Sequence, residues 1–234
     1  MAIADEMRAA AGAVFGLGAL GRKLPREAQV GGLVFYPLVG AGVGGAAAVA
    51  AAAVAPLGPL AAGVAAVGVL ACASGGGTLA AFARGRQGAA PGVRSAAGIT
   101  LAIVVVLAKI WAVSRLPDGG RAVGLVLAAM LGRWAMVVQC YGGSPAPGSG
   151  LAGQVVGRAR LREFGWASAA AFATTLAVLD AIGLVVLLAA TLTTIAIRVA
   201  AYRRAGGVGC AVLGVSLELV EAVVLLVLAA LARR

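Results

Sequence analysis

No charged side chain occurs between Glu27 and Arg84. A helix rises about 1.5 Å per residue, so roughly 20 apolar residues cross a hydrocarbon core about 30 Å thick. The uncharged stretch is far longer than one crossing and has to fold back on itself. Ala55-Pro56-Leu57-Gly58-Pro59 is the place for that turn, because proline removes a backbone donor and fixes φ, which a hairpin tolerates and a helix centre does not. The rest of the chain follows suit: 62% of residues are hydrophobic, 12% are charged, and the mean hydropathy is +1.04. Soluble domains carry roughly 25% charged residues. A water-soluble fold has nowhere to put this surplus. The expected fold is an all-α polytopic membrane bundle, with residues 1–234 as a single integral membrane domain.

Hydropathy places seven spans at Gly31–Ala55, Leu60–Ala83, Ala96–Val113, Val123–Tyr141, Trp166–Leu179, Ala181–Ala201 and Ala211–Leu231. The two flanking Asp180 form either separate spans with a hydrated turn or one long bent helix, which would make six. Ala9–Leu20 reads as an amphipathic or re-entrant lead-in. Asp5 and Glu6 stand where a signal peptide would be basic, so none is expected. Abundant glycine and alanine suit closely approaching membrane helices, and Gly40-Ala41-Gly42-Val43-Gly44 contains a GxxxG spacing.

The net charge of +11 does not point to nucleic acid, since the basic residues form no stripe with interleaved aromatics. They sit between spans. Twelve of them, Arg8, Arg22, Lys23, Arg26, Arg84, Arg86, Arg94, Arg158, Arg160, Arg162, Arg203 and Arg204, fall on one side. Arg115, Arg121, Arg233 and Arg234 fall on the other. The positive-inside rule then expects a multi-pass protein of the bacterial inner membrane with a cytoplasmic N-terminus. Three Gly-rich loops, Ser74–Arg94, Gly142–Glu163 and Arg203–Gly209, open on that same face. Their charge is either the topology signal alone or a surface for a phosphorylated substrate or acidic lipid headgroups. Trp111, Trp134 and Trp166 near span ends read as interfacial anchors.

There is no histidine, which excludes Ser-His-Asp triads, histidine general bases and histidine-based zinc sites. Cys72, Cys140 and Cys210 are isolated in small or apolar surroundings and read as packing residues. Charges inside spans are costly, at about 2.5–3.5 kcal/mol each by insertion scales. Glu218 and Glu221 share one helix face, where they either form an ion pair between helices or hold a cation. Lys109 and Arg133 lie near span ends, within reach of the interface by snorkelling.

Taken in order, several landmarks resemble the cobalamin synthase family, the adenosylcobinamide-GDP ribazoletransferases. Gly21-Arg22-Lys23-Leu24-Pro25 and Phe35-Tyr36-Pro37-Leu38-Val39-Gly40 look like the family's entry and opening helix. Leu107-Ala108-Lys109, Gly132-Arg133-Trp134-Ala135-Met136 and Gly150-Leu151 fall in place after them. Gly206-Gly207, Leu213-Gly214, Glu218 and Glu221 reproduce the spacing of the last motif.

The departures are equally informative. The family's acidic loop reads approximately Thr-Gly-Gly-Phe-His-Leu-Asp-Gly-Leu-Ala-Asp-x-x-Asp-Gly. Here its histidine is Thr78, and its three aspartates are Ala80, Arg84 and Gln87. The aspartate of the last motif is Ala211, and the arginine after the fourth span is Pro147.

The resemblance implies a reaction that joins α-ribazole or its 5′-phosphate to adenosylcobinamide-GDP with release of GMP. That phosphoryl transfer depends on Mg²⁺ held by hard oxygen ligands. With a positive loop in place of three carboxylates, impaired chemistry is expected. On the same resemblance, Gly75, Gly76, Arg133, Gly206 and Gly207 are the substrate-binding candidates, and Glu218 with Glu221 is the remaining pair for a cation.

Three roles follow: a divergent synthase, a non-catalytic membrane scaffold or corrinoid- or lipid-binding protein, and a small transporter subunit. The expected partners are the bilayer, corrinoid nucleotide and other cobamide-assembly enzymes, with a homo-oligomer also open.

Overall fold

The computed structural model describes residues 3–14, 25–83 and 95–232. The chain enters with α1 (Ile3–Val14). Then α2 (Arg26–Gly31), opened by Pro25, runs through a 3₁₀ turn at Gly32–Phe35 into α3 (Tyr36–Val54). A second 3₁₀ turn (Ala55–Leu57) and Gly58, with φ of 110°, reverse the chain into α4 (Pro59–Ala73). The reversal is the one the prolines predict.

After α4 come α5 (Gly77–Ala83), α6 (Ala96–Arg115), α7 (Asp118–Cys140), α8 (Leu161–Leu179), α9 (Ala181–Ala205) and α10 (Cys210–Leu231). Among the described residues there is no strand, only two isolated bridges, Tyr141 to Ala159 and Pro145 to Val208. The all-α membrane bundle expected from composition is what the chain forms.

Among the described residues, five helical stretches are long and apolar enough to cross a membrane: Arg26–Leu57, Ala96–Arg115, Asp118–Cys140, Ala181–Ala205 and Cys210–Leu231. Two of the seven expected spans differ. The span drawn as Leu60–Ala83 is not one helix. Gly75 and Gly76 adopt positive φ (58° and 66°) and break it into the 15-residue α4 and the short α5. At about 1.5 Å per residue, α4 is roughly 22 Å long, short of a full crossing. The other is α8, which is long enough at 19 residues but carries Arg162 and Glu163 in its first turn. The bent-helix alternative around Asp180 does not hold. Asp180 is an exposed residue with φ of 47° that separates α8 from α9.

Helix α7 is the axis of the bundle. From Gly124 to Cys140 most of its residues are buried, on every face, and it packs most extensively against α3 and α10. Glycine makes those approaches possible. A Cβ at Gly40 would lie 2.5 Å from Ala129 O, and one at Gly44 would lie 2.5 Å from Leu125 O. Gly42, between them, faces open space. The GxxxG reading is correct and its register is Gly40 with Gly44. On the other side of α7, a Cβ at Gly132 would meet Glu221 Cγ at 2.8 Å.

The outer surface is apolar, as a bilayer requires: Leu184, Leu188 and Leu192 form an exposed stripe on α9, as do Ile103 and Leu107 on α6. Trp111 and Trp166 are exposed, consistent with interfacial rings. Trp134 is not an anchor. It is buried, donates from Nε1 to Ser168 Oγ at 3.0 Å, and packs on Phe172 with ring centroids 5.2 Å apart. The cysteines also divide: Cys140 is packed in the core, whereas Cys72 and Cys210 are exposed. The lead-in drawn as Ala9–Leu20 begins earlier, as α1 at Ile3, and its residues 15–20 lie outside the described part.

Candidate functional site

Four helices bring their polar side chains to one buried cluster. Glu218 and Glu221 are one turn apart on α10 and point the same way, into the bundle. Lys109 arrives from α6 with Nζ 2.5 Å from Glu218 Oε2 and 2.6 Å from Glu221 Oε2. Arg133 arrives from α7 with Nη1 2.7 Å from Glu221 Oε1 and 3.0 Å from the Ala129 carbonyl. Thr78, on α5, donates its hydroxyl to Glu218 Oε1 and stands 2.9 Å from Ser74 Oγ, which itself donates to Ala71 O. Two cations face two anions, so the cluster is formally neutral.

Lys109 and Arg133 do not snorkel. Both are essentially unexposed, because partners inside the bundle stabilise their charges where an apolar surrounding would not. Of the two readings for Glu218 and Glu221, the interhelical ion pair is the observed one. Packing explains how Arg133 fits: a Cβ at Gly40 would lie 2.6 Å from Arg133 Cδ. Its Nε and Nη2 find no hydrogen-bond partner among the described residues.

The residues present do not suit Mg²⁺. All four oxygens of the two carboxylates already accept, from Lys109 twice, from Arg133 and from Thr78. Ala80, exposed on α5, and Ala211, in the first turn of α10, offer methyl groups where the resemblance calls for acids. Arg84 and Gln87 lie outside the described residues, but the segment from 84 to 94 contains no Asp or Glu at all. The glycine candidates sit in two turns of the chain. Gly75 and Gly76 form the α4–α5 turn. Gly206 is the left-handed C-cap of α9, and Gly207 is packed tightly, with a Cβ there lying 2.5 Å from Ser144 O.

A second polar group lies toward the end of α7, and its key residue, Arg198, was not among the sequence candidates. Arg198 Nη2 donates to the carbonyls of Val138 (2.7 Å), Gln139 (3.0 Å) and Tyr141 (2.7 Å), satisfying acceptors that a helix C-terminus leaves open. Its Nε lies 3.3 Å from Gln139 Oε1, and Gln139 Nε2 reaches Thr194 O and Ser216 Oγ. The available signal was an arginine inside the predicted span Ala181–Ala201. The loop after α7 is held alongside: Gly157 N donates to Cys140 O at 2.8 Å, and Tyr141 stacks on Phe164 at 4.5 Å.

The sequence model of the cobalamin-5-phosphate synthase family matches residues 95–229. No curated protein and no solved structure matches the chain. The matched stretch begins at Ser95, the N-cap of α6, and takes in Lys109, Arg133, Glu218 and Glu221. It covers more than half of the 234 residues, and the chain belongs to the cobalamin-5-phosphate synthase family.

Proposed function

We propose that this chain serves cobamide assembly as a non-catalytic member of its family, a membrane protein that has kept the bundle and lost metal-dependent phosphoryl transfer. One observation carries the reading: Glu218 and Glu221, the two carboxylates at family positions, are both committed to Lys109 and Arg133. The other six acids are Asp5, Glu6, Glu27, Asp118, Glu163 and Asp180, all of them outside the Ser74–Gly88 loop and the Gly206–Glu221 motif on which the resemblance rests. A divalent ion on a pyrophosphate would have to displace a lysine and an arginine from buried carboxylates, which leaves two more buried charges unpaired. Removing one partner of a buried pair costs about 3–5 kcal/mol. The protein then acts as a scaffold in the bacterial inner membrane, N-terminus in the cytoplasm, holding a corrinoid nucleotide or a partner enzyme of the same assembly at the arginine-rich face.

The test is GMP release from adenosylcobinamide-GDP and α-ribazole with Mg²⁺, in membranes carrying this chain. The expected result is no release above a vector-only control, while an acid-complete synthase releases GMP in the same assay. Magnesium-dependent release above the control overturns the proposal.

A further inference from the structure

We infer that the arginine-lined pocket where α1, α2 and the start of α8 meet binds the phosphate of an anionic phospholipid headgroup. The cavity is ≈ 940 Å³, within the range of about 300–1,000 Å³ usual for ligand sites. It lies apart from the Lys109–Glu218–Glu221 cluster and shares no residue with it. Arg26, Arg158, Arg160 and Arg162 line it, together with Glu6, Glu27 and Glu163.

The pairing inside the pocket leaves a positive excess. Arg162 is placed between two acids, with Nε 2.9 Å from Glu163 Oε1 and Nη2 3.7 Å from Glu6 Oε1. Glu163 also accepts from the Arg160 backbone N–H at 2.7 Å. Glu6 fits because residue 31 is glycine; a Cβ there would lie 2.4 Å from Glu6 Oε1. Arg26, Arg158 and Arg160 have no carboxylate partner among the described residues, and only Glu27 remains to oppose them. Three guanidinium-bearing residues line one cavity, and arginine is the side chain that contacts phosphate oxygens bidentately.

Depth selects a lipid over a soluble phosphate. Trp166 is exposed on α8, one turn beyond Arg162. Exposed tryptophan marks the membrane–water boundary, which sets the arginines just before it at headgroup level. Leu161 beside them is 68% exposed, and on α1 Ile3 is 67% exposed and Met7 is also exposed. A soluble phosphate has no use for those apolar surfaces, whereas the acyl chains of a lipid cover them.

The experiment uses the purified full-length chain and native mass spectrometry, titrating phosphatidylglycerol and phosphatidylcholine of equal chain length. Phosphatidylglycerol is expected to bind about tenfold more tightly. The triple variant Arg26→Ala, Arg158→Ala and Arg160→Ala should remove that preference with its circular dichroism unchanged, since basic residues at headgroup level draw anionic lipid. The control variant Arg203→Ala with Arg204→Ala, exposed arginines outside the pocket, should keep it. An equal loss in the control reduces the effect to overall surface charge and overturns the inference. So does displacement of the lipid by millimolar inorganic phosphate, which would make the ligand soluble. If the triple variant loses its helical signal, the single variant Arg158→Ala decides: an unchanged lipid preference there overturns the inference as well.

Discussion

Lys109 Nζ stands between Glu218 and Glu221, 2.5 Å from one carboxylate and 2.6 Å from the other, so one ammonium on α6 ties two acids of α10. Arg133 adds a third helix to the tie through Glu221. Charges at this depth persist only because each is matched, which makes the cluster a constraint on how α6, α7 and α10 are placed.

Lys109→Met leaves two carboxylates facing one guanidinium. The expected loss is about 3–5 kcal/mol, the range for removing one partner of a buried pair, read as a lowered thermal midpoint in detergent. Adding Glu218→Gln removes the excess negative charge and should restore part of the loss. A Lys109→Met protein that melts with the native one would mean the ammonium contributes nothing to the fold.

Glycines on α3 give a register-specific prediction. Gly44→Val drives a side chain into the α7 backbone, where even a Cβ would lie 2.5 Å from Leu125 O and 2.6 Å from Val126 Cα. Overpacking of this kind costs about 1–3 kcal/mol, and rigid backbone on the far side puts this position at the upper end. Gly42→Val meets nothing within 4 Å and should leave the midpoint unchanged. Equal effects at the two sites would contradict the helix register.

Much of this arrangement was legible in the sequence because membrane constraints are severe. The missing charges between Glu27 and Arg84 and the Pro56–Pro59 turn fix a reversal wherever else the chain goes. The Glu218–Glu221 spacing fixes a shared face. The partners were not legible: Lys109 and Arg133 lie near span ends in sequence, and only the packing of three helices decides whether a long cation turns inward or snorkels. The α4–α5 break was hidden for a related reason. No charged residue falls between Leu60 and Ala83, and two left-handed glycines interrupt the helix there with only the Gly-rich stretch beginning at Ser74 to mark the place. Trp134 illustrates the limit of counting from span ends, since its ring is buried by Ser168 and Phe172 from a helix far along the chain.

Arg198 should hold the end of α7 to the loop that follows. Arg198→Ala removes one donor group from three carbonyls, and hydrogen bonds to a charged group contribute about 1.5–3 kcal/mol. The local consequence is faster proteolysis between Gly142 and Arg160, measured by limited digestion and mass mapping. Arg198→Lys keeps the charge but not the planar fork, so it should protect the loop only in part. Identical digestion of all three proteins would show that the loop is held by its other contacts alone.

The three cysteines offer a check on the whole placement, one residue at a time. Alkylation needs both a thiolate and access to reagent. Cys210 is exposed at the start of α10, beside the loop carbonyl of Ser149 at 3.6 Å, and should react with a water-soluble maleimide in intact protein. Cys140 is buried under α7 packing and should react only after denaturation. Cys72 is exposed but lines an apolar groove between α3 and α4, which a water-soluble reagent enters poorly, so it should label more slowly than Cys210 and preferentially with an apolar reagent. Single-cysteine versions made by Cys→Ser exchange separate the three rates. Rapid aqueous labelling at Cys140 would mean that the end of α7 is open to water, and the packing of α7 against α9 and α10 would have to be redrawn.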